Sequence, residues 1–168
     1  MKKLLCLLLC GVVLLTAAAC SEEKPKYEAP VRLYYRTFVA EDEIAESVIA
    51  PVTVEGAGRL ADPKQLLNEY LKGTSEAGFE TTFPASTKLL SLEITDETAF
   101  LQLNGALARL SGTDLTIACG CITLTTIEIT GVTTVHIRAS NETLDGAEEI
   151  VMDANSLILM DLYASEPT

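Results

Sequence analysis

Apolar and polar residues alternate at every second position in several stretches of this chain, and those stretches predict strands. In VRLYYRTFV (31–39), Val31, Leu33 and Tyr35 fall on one side and Arg32, Tyr34 and Arg36 on the other. KLLSLEITDETAFLQLNG (88–105) predicts a hairpin: Leu90, Leu92 and Ile94 alternate in one arm, Ala99, Leu101 and Leu103 in the other. TDET between the arms supplies turn residues. Val132, Val135 and Ile137 mark a strand in GVTTVHIRAS (131–140). SVIAPVTVEG (47–56) predicts another, and its Pro51 calls for a sheet edge or a bulge. The tail offers IVMD (150–153) and SLILMDLY (156–163), separated by Ala154 and Asn155 and read as a short hairpin.

One segment carries a clear helical period. In ADPKQLLNEYLKG (61–73), Leu66, Leu67, Tyr70 and Leu71 form a stripe. Asp62 is placed to cap, Pro63 to open the first turn and Gly73 to close the last. TSEAGFETTFPAST (74–87) is a loop by composition, and GALARLSG (105–112) a short irregular or one-turn piece.

LTIACGCITLTTIEITG (115–131) fits two templates. Leu115, Ile117, Cys119 and Cys121 alternate, and Thr and Ile favour strands. Gly120 in mid-segment costs a helix about 1 kcal/mol relative to Ala. Yet Leu115, Cys119, Ile122, Thr126 and Ile129 also trace one helical face, with SGTD (111–114) before them and Gly131 as a stop. Periodicity alone does not decide between the two.

The N-terminus has a different pattern. Lys2 and Lys3 precede the apolar run LLCLLLCGVVLLTAAA (4–19), and Cys20 follows it directly. A short basic stretch before an apolar one marks a secretory signal, and the run is short for a membrane span. AAAC (17–20) resembles a bacterial lipobox, which implies cleavage before Cys20 and lipidation of Cys20, for example by palmitate. The polar SEEKPKYEAP (21–30) reads as a flexible tether. The expected organisation is a signal peptide (1–19), a tether (20–30), a domain (31–140) and a C-terminal extension (141–168) whose strands pack on the domain. Loss of the signal takes Lys2 and Lys3 with it and moves the net charge from −12 to −14. Such acidity argues against nucleic acid, and against docking on anionic lipid through the folded surface. Membrane attachment would rest on the lipid.

Candidate chemistry is sparse. Once Cys6 and Cys10 leave and Cys20 is acylated, Cys119 and Cys121 remain. One intervening residue is wrong for a thioredoxin-like pair. On a helix the two side chains point about 200° apart, and on a strand they stand roughly 7 Å apart, so neither form favours a disulfide. A structural zinc needs about four ligands, and a single His136 does not complete the set. The expectation is packing: one thiol buried and the other at a helix edge. His136, in VHIR on the outer face of a strand, could act as a general base, but no G-x-S-x-G or H-E-x-x-H accompanies it. EDE (41–43) and DGAEE (145–149) lack EF-hand spacing and read as solvated loops. No catalytic residue, metal site or cofactor is expected, and no ligand-binding residue can be named.

Four pieces in order resemble the sporulation and spore germination (GerMN) domain of bacterial envelope lipoproteins. They are VRLYY, then LLNEYLKGTSEAGFETTFP, then STKLLSLEITDETAFLQL, and finally TLTTIEITGVTTVHI. The likeness runs from Val31 to about Ala139. It implies that Thr113 to about Thr126 is a helix, against local propensity. It also implies an α/β (α+β) fold, ordered α-β-β-α-β from Pro63 to Ala139. That order resembles the ring-building-motif fold: a sheet with two helices packed on one face, here extended by the N-terminal strands and the tail hairpin. The function it implies is that of a lipid-anchored, extracytoplasmic, non-catalytic module in sporulation, germination or envelope assembly. Its partners would be the membrane, through the lipid, and envelope proteins. A lipoprotein that binds a small ligand or the peptidoglycan wall is the alternative.

Overall fold

The structure, a computed structural model, describes residues 30–38, 47–55 and 62–157. The signal segment, Cys20, the tether up to residue 29, the acidic piece 41–46 and the tail from 158 onward lie outside the described residues.

Two sheets organise the chain. β1 (Val31–Thr37), β2 (Ile49–Val54) and the two-residue β3 (Phe79–Glu80) form a three-stranded sheet in the order β2-β1-β3. β4 (Leu89–Thr95), β5 (Thr98–Leu103), β6 (Thr134–Ala139) and β7 (Ile150–Asp153) form a second sheet in that order. β4 and β5 pair antiparallel through a tight turn at Asp96, whose φ is 53°. β5 and β6 run parallel, so their connection must cross over, and α2 (Gly112–Thr130) makes that crossing.

α1 (Pro63–Tyr70) starts as its sequence predicts, with the Asp62 carboxylate accepting from Lys64 N–H at 3.0 Å and Pro63 in the first turn. Leu66, Leu67 and Tyr70 face the core. Regular helix ends at Tyr70, and Gly73 takes a left-handed φ of 94° while its N–H bonds Tyr70 O.

α2 is a helix over the whole ambiguous segment, and it ends at Gly131 in a left-handed conformation. It packs against β1 of one sheet, against β6 and β7 of the other, and against α1. A helix walled on several sides is apolar nearly all round and carries no single stripe. Its threonines are accommodated by bonding backward: Thr116, Thr126 and Thr130 hydroxyls donate to the carbonyls four residues earlier, at 2.9, 2.7 and 2.7 Å. Gly120 is small for a packing reason, since a Cβ there would meet Leu157 Cδ2 at 2.6 Å and Ile49 Cδ1 at 3.0 Å.

The mixed α+β class and the order α1, β4, β5, α2, β6 are as expected. Three details differ. The N-terminal strands build their own sheet instead of extending the other. Tyr34 explains why: across from Pro51 its peptide groups turn away from β2 and are taken by the Thr125 and Tyr70 hydroxyls. Further along the same side β3 pairs with β1 at Arg36 and Thr37, and Pro51 falls on the edge strand β2, where a missing N–H costs little. Second, both helices do not lie on one face of one sheet; α2 is shared between two. Third, the tail strand IVMD pairs with β6. Residues 154–157 are helical, turned by Ser156, whose N–H and hydroxyl both donate to Asp153 Oδ1 at 2.7 Å. Ser156 and Leu157 therefore do not form a hairpin arm.

Candidate functional site

The four-stranded sheet is buried on one side and open on the other. Ala99, Leu101, Leu103, Val135, Ile137 and Ala139 point inward and are buried. The residues between them point outward, and register aligns them in two rows. Glu93 on β4 stands opposite Phe100 on β5, Phe100 opposite His136 on β6, and His136 opposite Val151 on β7. The neighbouring row runs Ser91, Gln102 and Arg138. Phe100 and Val151 are 36% and 51% exposed.

Glu149, just before β7, joins the rows. Its Oε1 accepts from Arg138 Nε at 2.9 Å. The same oxygen lies 2.9 Å from His136 Nδ1, an ion-pair distance without hydrogen-bond alignment. Burial raises the Glu149 carboxyl, but the His136 and Arg138 contacts outweigh it and the net shift is downward. The Phe100 and His136 rings pack with centroids 4.6 Å apart. Ser91, Glu93, Phe100, Gln102, His136 and Arg138 surround a shallow depression of about 150 Å³.

Ser91 and His136 both reach this face, but on strands two apart and in different rows. Interstrand spacing separates them by roughly 10 Å. That is far beyond the hydrogen-bond reach a serine nucleophile needs from its base. What the face offers is an aromatic ring, a free carboxylate and a neutralised Arg–Glu pair, which suits recognition.

Cys119 and Cys121 are both fully buried in α2 and both free. The expected edge position for one of them is corrected, because α2 has a wall on each side. Burial pushes each thiol up to about 12, which suits packing and not reactivity. In DGAEE the residues diverge: Asp145 accepts from Gly112 N–H at 3.2 Å while Glu149 serves the sheet face. Among the described residues, no three His, Cys, Asp or Glu side chains cluster to hold a metal. No described helix is long and apolar enough to cross a membrane. Cys20 lies outside the described residues. Sequence reasoning placed His136 outward but missed Phe100 and Glu149; the F-x-Q and H-x-R alternation on β5 and β6 was the available signal.

The fold is that of a small two-sheet α+β module with one open sheet face. The Germane family, described as sporulation and spore germination, matches residues 32–145, and the chain belongs to that family. Among solved structures, the tandem GerMN domains of the sporulation protein GerM from Bacillus subtilis share 23% identity at a TM-score of 0.52, covering 72% of this chain and 43% of that one. The first GerMN domain of the same protein shares 17% identity at 0.49, covering 74% and 95%. A candidate lipoprotein from Clostridium perfringens shares 23% identity at 0.47, covering 78% and 91%. The tandem GerMN structure has the same fold. A search of curated proteins finds no match to the chain.

Proposed function

We propose that this chain is a lipid-anchored module on the extracytoplasmic face of the bacterial cell membrane. It works by contact with envelope proteins in sporulation, germination or envelope assembly, and it catalyses no reaction. The observation that carries the contact reading is the open face of the four-stranded sheet, where Phe100 and Val151 stay exposed in one row. The separation of Ser91 from His136 supports the non-catalytic part. The anchor rests on AAAC (17–20) after an apolar run, followed by a polar tether.

The anchor is tested with Cys20→Ala. Metabolic labelling with palmitate should mark the native chain and leave the variant unlabelled and unprocessed. Equal labelling of both would end the lipoprotein reading. For the contact reading, a photo-crosslinking residue at position 151 should capture the same envelope protein reproducibly, and a companion Phe100→Glu change should abolish that capture. Capture unaffected by Phe100→Glu would place the contact elsewhere.

A further inference from the structure

We propose that the open face of the β4–β7 sheet binds the cationic side chain of a basic, extended protein segment, seated over Phe100 and against Glu93. This rests on the contact reading above and names the chemistry of its partner.

Charge in the depression is unevenly paired. The depression contains two carboxylates, Glu93 and Glu149, and one guanidinium, Arg138. Arg138 bonds Glu149 at 2.9 Å, and the same carboxylate oxygen lies 2.9 Å from His136 Nδ1. Glu149 is thus committed. Glu93 is exposed, and among the described residues it makes no hydrogen bond or ion pair. Of the two carboxylates in the depression, Glu93 is therefore the one left without a partner among the described residues.

The ring beside it is placed to use a cation. Phe100 stands between Glu93 on β4 and His136 on β6 by register. A cation between the Glu93 carboxylate and the Phe100 ring would meet both a formal charge and the negative face of an aromatic ring. Gln102 and Ser91, in the adjoining row, provide further oxygen acceptors. A depression of about 150 Å³ has room for one side-chain end, and a larger group would overfill it.

The flatness of the surface favours a polypeptide over a free amine. A small amine in the depression would leave Val151, in the same row, uncovered. An extended segment lying across the strands would cover Val151 with its apolar residues while presenting a basic one to Glu93. The chain's net charge of −12 draws such a segment in at long range.

The test is a titration of the full-length chain in detergent against a fluorescein-labelled octapeptide of alternating Val and Lys, read by anisotropy. Saturable binding is expected, with none to the Val–Glu counterpart. Glu93→Gln should weaken it by about threefold or more, the scale of one exposed charge pair. Phe100→Leu keeps an apolar side chain but removes the ring, and it should weaken binding by a similar factor. Glu76→Gln removes the same charge from an exposed site in the α1–β3 loop and should leave binding unchanged. Equal losses in Glu93→Gln and Glu76→Gln would reduce the effect to bulk charge attraction and overturn the proposal. Displacement of the peptide by spermidine at equal concentration would overturn the choice of a polypeptide. Crosslinking from position 151 separates this idea from the broader one: a captured partner whose contact segment has no Lys or Arg sinks the cation site and leaves the contact reading standing.

Discussion

The Tyr70 hydroxyl donates to the carbonyl oxygen of Tyr34 across 2.8 Å, doing for β1 what a neighbouring strand would otherwise do. The N–H of Tyr34 completes the arrangement by donating to Thr125 Oγ1 at 2.9 Å. One residue of β1 is thereby tied to both helices. Ion pairs repeat the tie to α2 on either side, Arg32 with Glu128 at 2.8 Å and Arg36 with Asp114 at 3.0 Å. Exposed pairs of this kind contribute little each. The Tyr70 hydroxyl matters more, because its loss leaves a half-buried carbonyl without its partner.

Tyr70→Phe should therefore destabilise the fold by about 0.5–1.5 kcal/mol, the net worth of one hydrogen bond to a half-buried carbonyl. Thr125→Val should cost a similar amount by stranding the Tyr34 N–H. Tyr35→Phe is the control: its hydroxyl reaches Tyr70 O only at 3.5 Å, and the ring packing at 5.1 Å survives the change. Denaturant unfolding of the three variants gives the order directly. A Tyr35→Phe loss as large as that of Tyr70→Phe would mean that the hydroxyl–carbonyl bond is not what holds β1.

The same residues show how much of this fold could be read from the chain. Strands β1, β5 and β6 were legible because each has one wet and one dry side, and a two-residue period follows from that. The start of α1 was legible in Asp62 and Pro63 alone. α2 was not, because walls on several sides erase the period and Gly120 and the threonines lower local helix propensity. Packing against Leu157 and Ile49, and hydroxyls turned back on the helix, override that propensity. The partition into two sheets was invisible for a different reason. Nothing local in VRLYYRT says that Tyr34 will spend its peptide groups on two side-chain hydroxyls. The open sheet face was half legible: alternation puts His136 outward, but only parallel register brings Phe100 beside it and the 139–149 loop brings Glu149.

Burial of Cys119 and Cys121 sets their chemistry. In the chain from residue 21 onward, which holds no other cysteine, a thiol reagent should label neither residue in the native state. Both should label at the rate of unfolding. Raising the pH should not make the native thiols reactive, since ionisation in the fold waits until about 12. The unfolded chain ionises from 9.0, the ordinary value, so it releases protons first. Stability should accordingly decline as pH rises from 9.0 toward about 12. Fast stoichiometric labelling of the folded chain at neutral pH would contradict the buried placement.

Glu149 acts with the opposite sign. Its carboxyl is held below the ordinary range in the fold, so its contribution to stability is complete above the unfolded carboxylate value. That contribution disappears as pH falls through the folded value. Glu149→Gln should be less stable than the native chain at neutral pH, and the difference should close in acid. Unfolding midpoints measured at both ends of that window check the sign. A gap that widens in acid would show that Glu149 is not stabilised as a carboxylate by Arg138 and His136.

Gly120 allows a sharper test, because two effects of known sign oppose each other there. Gly to Ala within a helix is worth about 1 kcal/mol of propensity. Here the new methyl would approach Leu157 Cδ2 to 2.6 Å, and Leu157 is buried, so the side chain must move off its packing site. Gly120→Ala alone should therefore gain less than the propensity value, or lose stability outright. Leu157→Ala removes the obstructing atom at the cost of its own buried contacts. In that background Gly120→Ala should recover most of the propensity gain, with Ile49 Cδ1 at 3.0 Å as the remaining constraint. The two substitutions should thus couple favourably by about 0.5–1.5 kcal/mol in a double-mutant cycle. Additivity would mean that Leu157 does not rest on Gly120. The glycine would then need another explanation, and the packing of residues 154–157 over α2 would have to be redrawn.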